Sequence, residues 1–165
     1  MVTINIVHLD QGHTLESKSV APKDLQLDES LGFVNPINID FEIDKVGNEH
    51  YVITKLETVA HVPCDRCAES YDAPISDSVK IILTKDDELL DQDDVYRINE
   101  GTTVVDVTES VRETLILALP EKKLCSQECK GLCAQCGANL NQGECSCDKN
   151  QIDPRWEGLK KLLDN

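Results

Sequence analysis

The sequence predicts an α+β protein that is mainly antiparallel β, a sheet or open barrel with two short helices and a C-terminal zinc-bound module. Apolar and polar side chains alternate over residues 37–44, which is typical of a strand with one buried face. Apolar residues recur at helical spacing in two short segments further along the chain. Six of the eight cysteines lie within residues 125–147, and such a cluster is typical of a metal-bound module.

The N-terminal part of the chain predicts two strands. Residues 2–9 alternate well enough to form the first strand, and residues 10–12 supply a turn after it. Residues 13–30 are less regular, and they predict one short strand followed by a loop.

A β-hairpin is predicted for the centre of the chain. Its first strand covers residues 37–44, Gly47 and Asn48 form the turn, and residues 51–62 return. The alternation of the returning strand slips near Leu56, which predicts a β-bulge at that position.

The segment after the hairpin predicts a further strand, a loop and two short strands. The strand covers residues 75–83. Residues 86–94 contain six carboxylates in nine residues, so self-repulsion predicts a mobile acidic loop. Residues 95–98 and 102–105 are expected as short strands on either side of a turn at residues 99–101.

Two helices are predicted, each with a capping residue at its start. Asp106 opens the first, over residues 107–118, and Glu109 completes a capping box. Pro120 ends this helix because proline lacks a backbone N–H. Asp153 caps the second helix, and its apolar stripe consists of Trp156, Leu159, Leu162 and Leu163.

The negative charge is confined to the first part of the chain. The formal net charge is −15, and residues 1–120 contain 9 Lys/Arg against 24 Asp/Glu, whereas residues 121–165 contain 7 of each. We therefore expect a β-rich acidic domain over residues 1–120 and a cysteine-rich zinc module over residues 121–165, packed on the first through Cys64 and Cys67. Such a charge repels phosphate backbones and favours a basic partner, or it is a solvated surface without a partner.

The N-terminus and the cysteine content together predict a reduced, cytoplasmic protein. The chain starts without a basic segment, its first apolar run breaks at His8 and Asp10, and no run approaches the ~18 residues of a membrane span. Disulfides are rare in the cytosol, so eight cysteines indicate a metal site. A redox dithiol and a disulfide framework are the alternatives.

The eight cysteines form four pairs with spacings C-x2-C, C-x3-C, C-x2-C and C-x-C. In chain order we call them the first to the fourth pair: Cys64 and Cys67, Cys125 and Cys129, Cys133 and Cys136, Cys145 and Cys147. A structural zinc ion needs four donors in a tetrahedron, with zinc–sulfur distances of about 2.3 Å. The four pairs therefore predict two structural zinc sites, each with four cysteine ligands.

Four pairs can be combined into two sites in three ways. We favour the third pair with the fourth, because the loop between them is long enough to close locally, which leaves the first pair with the second. Gly137 is expected at positive φ directly after the third pair, and Gly131 at a close backbone approach. A single site with spare cysteines is the alternative. The C-x-C pair is the most constrained. If Cys145 or Cys147 is spare, His61 is the candidate to replace its sulfur as a ligand.

The predicted sites favour a structural over a catalytic role. Eight sulfurs that close two tetrahedra leave no open coordination position, which a catalytic zinc needs. The sequence has no G-x-x-x-x-G-K-[ST], G-x-G-x-x-G or G-x-S-x-G motif. We therefore predict that the protein is not an enzyme and has no small-molecule substrate. A thiol-redox or metal-buffering protein is an alternative.

Direct contact with RNA has weaker support. Six aromatic residues are too few for a base-stacking platform. Cationic residues that could contact phosphates gather in the C-terminal part: Lys122, Lys123, Lys130, Lys149, Arg155, Lys160 and Lys161. An RNA-binding zinc adaptor is therefore the alternative to a protein-binding factor.

These motifs together resemble those of the bacterial YceD family, also described as large ribosomal RNA subunit accumulation proteins. The resemblance rests on V-P-C-D-R-C-A-E-S-Y at residues 62–71, on the acidic loop, and on L-I-L-A-L-P at residues 115–120. The tail, with C-K-G-L-C-A-Q-C-G-A-N-L-N, C-S-C and D-P-R-W-E-G-L, resembles the Gram-positive-type members.

The resemblance implies a cytoplasmic factor needed for the accumulation or processing of large-subunit ribosomal RNA, with a link to a ribosomal protein. It also implies that Cys64 and Cys67 are the cysteine pair typical of the family. Together with the charge, it leads us to expect a zinc-stabilised, non-enzymatic factor that binds a basic ribosomal protein or a pre-large-subunit particle.

Overall fold

The computed structural model describes residues 1–7, 9, 11–86 and 94–147. Within these residues the chain forms seven strands and one α-helix, with two short 3-10 turns at Pro22–Leu25 and Glu29–Leu31. The elements are β1 (Thr3–Asn5), β2 (Gly12–Val20), β3 (Ile37–Val46), β4 (Glu49–Pro63), β5 (Ser70–Thr84), β6 (Val95–Arg97), β7 (Val104–Asp106) and α1 (Thr108–Leu117).

Five strands form one sheet in the order β2-β3-β4-β5-β6, and β1 pairs with β7 in a second, two-stranded sheet. All pairs are antiparallel except β5 with β6, which run parallel. The prediction of a mainly antiparallel β protein is therefore confirmed in its coarse form, with one α-helix among the described residues. The second predicted helix and residues 87–93 of the acidic loop lie outside them.

The core lies between the inner face of the large sheet and α1. The predicted alternation of β3 is confirmed, because Ile37, Ile39, Phe41 and Ile43 are all fully buried. The face predicted for the first helix consists of Val107, Val111, Leu115 and Ala118. The first three are fully buried, and Ala118 is partly buried against the same core. Burial of apolar surface on this scale is the main source of stability for a chain of this size.

The predicted capping box at the start of α1 is wrong, because Val107 occupies the N-cap position and makes no side-chain capping bond. Asp106 Oδ1 accepts the backbone N–H of Thr108 at 2.9 Å, and Thr108 is the first helical residue. The Glu109 carboxylate pairs instead with the guanidinium of Arg112, one turn further along the helix. The predicted capping box is therefore replaced by a bond from the residue before the N-cap and by an ion pair on the helix surface.

The predicted β-bulge near Leu56 is wrong. The register of β4 runs without interruption against β3 and β5 through this position. Inner positions of β4 alternate regularly with outer ones, but two inner positions carry the threonines Thr54 and Thr58. Because these polar residues are buried while Ile53 and Val59 lie on the other face, the hydrophobic pattern slips although the backbone does not.

Four other strands differ from the sequence-based expectation. β1 is shorter than the predicted residues 2–9, and β2 is longer than the short strand expected within residues 13–30. β6 and β7 flank the predicted turn but lie in different sheets. β7 pairs with the distant β1, and β6 pairs in parallel with the preceding strand β5. Local pattern reveals neither pairing.

The β4–β5 hairpin determines where the cysteines lie. Its closing turn contains the first cysteine pair, and the segment after α1 returns to this turn through a hydrogen bond between Asp65 and Lys123. The division of the chain at residue 120 stays a prediction, since the second part is described only as far as residue 147. Among the described residues, no helix has the length and apolar character needed to cross a bilayer.

Candidate metal centres

The structure brings the eight cysteines into two groups of four. The first tetrad consists of Cys64, Cys67, Cys125 and Cys129, and the second tetrad consists of Cys133, Cys136, Cys145 and Cys147. Within each tetrad the sulfur atoms all lie within 4.8 Å of one another. These are the combinations that loop length favours. Both members of the C-x-C pair belong to the second tetrad.

The sulfur spacing fits a tetrahedral metal ion. Cys64 Sγ lies 3.8 Å from Cys129 Sγ, and Cys67 Sγ lies 3.8 Å from Cys125 Sγ. A tetrahedron with zinc–sulfur bonds of about 2.3 Å has edges of about 3.8 Å. A disulfide needs sulfurs about 2.05 Å apart, so these contacts match shared metal ligation and not covalent pairing. All eight cysteines are free thiols.

Each tetrad contains a C-x2-C turn of the same design. In the first, the Cys64 N–H donates to Glu69 O at 2.9 Å and the Ala68 N–H donates to Cys64 O at 2.8 Å. In the second, equivalent bonds from Cys133 and Gly137 are both 2.8 Å long. The residue after the second cysteine has positive φ in both turns, +58° at Ala68 and +73° at Gly137. The expectation for Gly137 is therefore confirmed.

Two residues inside C-D-R-C attach the second cysteine pair to the hairpin. Asp65 exchanges two 2.7 Å bonds with Lys123, since its N–H donates to Lys123 O and its Oδ2 accepts the Lys123 N–H. Arg66 Nη1 donates to the carbonyl oxygens of Gln127, at 3.1 Å, and Cys129, at 2.9 Å. Neither role is among the predictions from the sequence, although a charged pair between two ligands is a signal for such roles.

The two tetrads differ in exposure. Cys64, Cys67 and Cys129 are buried, with Tyr71 and Leu124 packed against them, and only Cys125 of the first tetrad is exposed. All four cysteines of the second tetrad are exposed or half-buried. The first tetrad is therefore the shielded site, and the second is open to solvent.

The thiols within each tetrad have different proton affinities. Hydrogen bonding from the Cys125 backbone lowers the pKa of Cys64 to about 6, and backbone donors of Cys136 and Gln135 lower the pKa of Cys133 to about 6. Desolvation of its sulfur raises the pKa of Cys125 to about 12, and hydrogen bonding to Cys136 raises the pKa of Cys147 to about 12. Each tetrad thus combines a ready thiolate with a thiol that a metal must deprotonate.

Two side chains outside the cysteine pairs, His61 and Asn141, differ in their relation to the tetrads. His61, the alternative ligand, pairs with Asp72 Oδ1 at 2.8 Å across β4 and β5 and belongs to neither tetrad. Asn141 Nδ2 donates to Cys129 Sγ at 3.3 Å, and this bond lowers the pKa of the Cys129 thiol. Only the length of the loop through Asn139 and Asn141 entered the sequence-based prediction. Side-chain amides close to ligand cysteines are the signal for this additional hydrogen bond.

Comparisons with known proteins point to one family. The sequence model described as "Large ribosomal RNA subunit accumulation protein YceD" matches residues 52–163. A Bacillus subtilis protein, "Uncharacterized protein YlbN", is 31% identical over 140 residues, which cover 84% of this chain and 80% of that protein. An uncharacterized Mycobacterium tuberculosis protein is 30% identical over 135 residues, which cover 77% of this chain and 62% of that protein.

A more distant plant relative carries a descriptive name. The Arabidopsis thaliana protein "Large ribosomal RNA subunit accumulation protein YCED homolog 1, chloroplastic" is 22% identical over 155 residues, which cover 77% of this chain. The chain spans 48% of the length of that relative and 62% of the mycobacterial one. No solved structure matches the chain.

Proposed function

Because this chain belongs to the YceD family, described as large ribosomal RNA subunit accumulation proteins, we propose that it is a non-enzymatic cytoplasmic factor in biogenesis of the large ribosomal subunit. The resemblance inferred from the cysteine motifs is confirmed by the match over residues 52–163. In this proposal the protein supports accumulation or processing of ribosomal RNA by binding a basic ribosomal protein or a pre-large-subunit particle.

The outer face of the five-stranded sheet is the observation that carries the proposal. Side chains alternate between the two faces of a strand, so the polar positions of β3, β4 and β5 share one surface. We call this surface the acidic face. Its carboxylates are Asp40, Glu42, Asp44, Glu49, Glu57 and Asp72, against the lysines Lys55 and Lys80. A surface of this charge attracts a cationic partner and repels bare phosphate.

Ion pairs already present on the acidic face are weak competitors for such a partner. Lys55 Nζ lies 2.6 Å from Glu42 Oε1, and His13 Nδ1 lies 2.9 Å from Asp44 Oδ1. Exposed pairs of this kind contribute about 0–1 kcal/mol each, because water screens them. Basic side chains of a partner therefore replace them at little cost.

The two tetrads are proposed as structural zinc sites that hold residues 121–147 against the end of the β4–β5 hairpin. Structural zinc sites contribute about 10–16 kcal/mol of apparent binding free energy, as much as the net stability of a whole domain. The first tetrad supplies this energy where the hairpin turn meets Cys125 and Cys129. In this proposal zinc maintains the shape of the molecule and leaves partner binding to the acidic face.

A pull-down at physiological salt tests the proposal. The wild-type protein is compared with a triple variant of the acidic face (Asp40→Asn, Asp44→Asn, Glu57→Gln) and with a control of equal charge change at exposed residues elsewhere (Glu29→Gln, Glu113→Gln, Glu121→Gln). We expect the wild type and the control to recover pre-large-subunit particles or a basic ribosomal protein, and the acidic-face variant to lose most of this recovery. If the wild type recovers neither, or the two variants behave alike, the proposal is wrong.

Charge reversal of lysines in the zinc module distinguishes the RNA-binding alternative from binding of a basic protein. Lys122 and Lys130 are exposed beside the first tetrad. If Lys122→Glu and Lys130→Glu abolish the association and acidic-face changes do not, the contact is with RNA. The protein-binding proposal predicts the opposite pattern.

A further inference from the structure

Asn141 connects the two tetrads. It lies on the loop between Cys136 and Cys145, which belong to the second tetrad. Its side-chain amide nevertheless reaches the first tetrad, where Nδ2 donates to Cys129 Sγ at 3.3 Å. A loop closed by one set of ligands thus delivers a hydrogen bond to a ligand of the other.

The orientation of the Asn141 amide is fixed by its other bonds. Its Oδ1 accepts the backbone N–H of Lys130 at 2.8 Å, and an N–H can bond only to the oxygen end of the amide. The nitrogen end therefore faces Cys129, and it also donates to Asn139 Oδ1 at 3.0 Å. These bonds fix which end of the amide faces Cys129, so they also determine the hydrogen bond to its sulfur.

The loop itself is attached to the first tetrad at two further points. The Leu140 N–H donates to Gly131 O at 2.9 Å, next to an isolated bridge between Leu132 and Asn139. Gln142 Nε2 donates to Glu69 Oε1 at 2.6 Å, across to the turn that carries the first pair. These contacts set the distance between the loop and Cys129.

A hydrogen bond to a metal-bound thiolate stabilises the charged ligand and orients it, and losing such a bond typically costs 10–100-fold in metal affinity. The bond exists only while the loop is ordered, and ordering a loop of this length costs conformational entropy. Ligation by Cys136 and Cys145 fixes both ends of the loop and so removes much of that cost. Occupancy of the second tetrad therefore favours the bond to Cys129.

We propose that the two metal sites are thermodynamically linked through Asn141, so that metal in the second tetrad strengthens the hold of the first tetrad on its own metal. Linkage of this kind is reciprocal, since each site changes the affinity of the other by the same factor. The inference rests on the zinc-binding part of the proposed function and is independent of the ribosomal part. Because the second tetrad is the exposed one, it is the site that a chelator reaches first.

The test follows metal release to a chromophoric chelator, starting from native protein of known zinc content. Asn141→Ala is expected to weaken zinc binding by the first tetrad 10–100-fold and so to speed zinc release, whereas Asn38→Ala, at an exposed position of β3 outside the loop, leaves both unchanged. Disabling the second tetrad with Cys136→Ser and Cys145→Ser is expected to have the same effect. On that background Asn141→Ala should add nothing further, because the loop is already released.

Hydrogen exchange at Lys130 supplies a readout that does not depend on release rates. Its amide donates to Asn141 Oδ1, so protection is expected in the two-metal protein and is lost in Asn141→Ala. If the double serine variant does not fold, partial chelation of the wild type, monitored at the same amide, replaces it.

The possible results distinguish failure of the proposed linkage from failure of the proposed zinc sites. Two zinc ions per chain with release from the first tetrad unaffected by either variant would overturn the linkage and leave the zinc sites standing. A full Asn141→Ala effect on the double serine background would also overturn it. Native protein without zinc would overturn both the linkage and the proposed zinc sites.

Discussion

The backbone N–H of Leu132 donates to the carbonyl oxygen of Arg66 at 3.0 Å, which joins the turn between β4 and β5 to the start of the second tetrad. The preceding residue, Gly131, has φ +72°, and a Cβ at this position would lie 3.0 Å from the same oxygen. The approach of the two cysteine-bearing segments therefore depends on the absence of a side chain at residue 131. This meets the expectation of a close backbone approach there.

Replacing Gly131 with alanine should destabilise the metal-loaded protein. Left-handed φ costs an L-residue about 1–2 kcal/mol, and the contact with Arg66 O adds to that cost. Chemical denaturation of the zinc-loaded protein measures the change in unfolding free energy. Gly143→Ala is the matched control, since Gly143 lies outside the left-handed region with open space around it, and its effect should stay within about 0.5 kcal/mol. Equal losses in both variants would contradict the prediction.

Replacing Ala68 with glycine should stabilise the protein. Ala68 has φ +58° after the first pair, a conformation that glycine adopts without strain. Relief of the strain, offset by the greater freedom of glycine in the unfolded chain, leaves a gain of about 0.5–1 kcal/mol. The same denaturation assay checks it. Ala134→Gly, in the equivalent C-A-Q-C turn but without positive φ, should instead lose stability, and a gain there would refute the strain argument.

Zinc binding should release protons, and more of them at lower pH. At pH 7 the thiols of Cys125 and Cys147 are protonated because their pKa values are raised to about 12, so each site gives up at least one proton. Cys64 and Cys133, with pKa values of about 6, are largely thiolates at pH 7 but become protonated as the pH falls below 6. Proton release per zinc should therefore rise, and affinity should fall, between pH 7 and pH 5.

Isothermal titration calorimetry in buffers of different ionisation enthalpy measures that proton release. Cys147→Ala should reduce the number released at pH 7, because the thiol that must be deprotonated is gone. A count that does not change between pH 7 and pH 5 would contradict the assignment of mixed thiol and thiolate states.

His50 should make the folded state sensitive to acid. It is 5% exposed on the inner side of β4, and burial, followed by the positive charge of Lys45, lowers its pKa. The unfolded chain therefore binds a proton more readily than the folded one, so stability is intact above the unfolded pKa and declines as the pH falls below it. The slope from one such group is at most about 1.4 kcal/mol per pH unit.

The variant His50→Leu isolates this contribution. The unfolding free energy of wild type and variant, measured from pH 7.5 to pH 5.5, should diverge as the pH falls, with the wild type losing more. Parallel curves over this range would show that His50 does not titrate on unfolding.

The spacing of apolar residues correctly predicted the elements that bury only one face. The alternation of β3 and the apolar stripe formed by Val107, at the N-cap, and by Val111 and Leu115 of α1 are evident from the sequence, because one face of each is buried in the same core. In β4 the inner threonines concealed an unbroken register. The partners of β6 and β7 depend on tertiary packing, which no local window contains.

The grouping of cysteines was predictable because it follows from loop length, whereas the bonding partners of the residues that support the ligands were not. Asp65 and Arg66 bond to backbone groups 58 and 63 residues away, and Asn141 bonds to the amide of Lys130, 11 residues before it. Their types are compatible with many surface roles, and only the folded geometry separates these roles. Metal ligation by the eight cysteines itself stays a prediction until zinc is measured.

The first tetrad also sets the order in which the molecule is completed during synthesis. Its ligands come from segments 58 to 65 residues apart, whereas β2 to β5 pair with neighbours along the chain. Contacts between sequence neighbours form early, and distant ones must wait for their partner to be made. The sheet can therefore assemble before Cys125 and Cys129 leave the ribosome, and a metal ion bound by the first tetrad would arrive at a preformed turn. A cell short of zinc would then accumulate chains whose acidic face is folded but whose residues 121–147 are not attached to the β4–β5 hairpin.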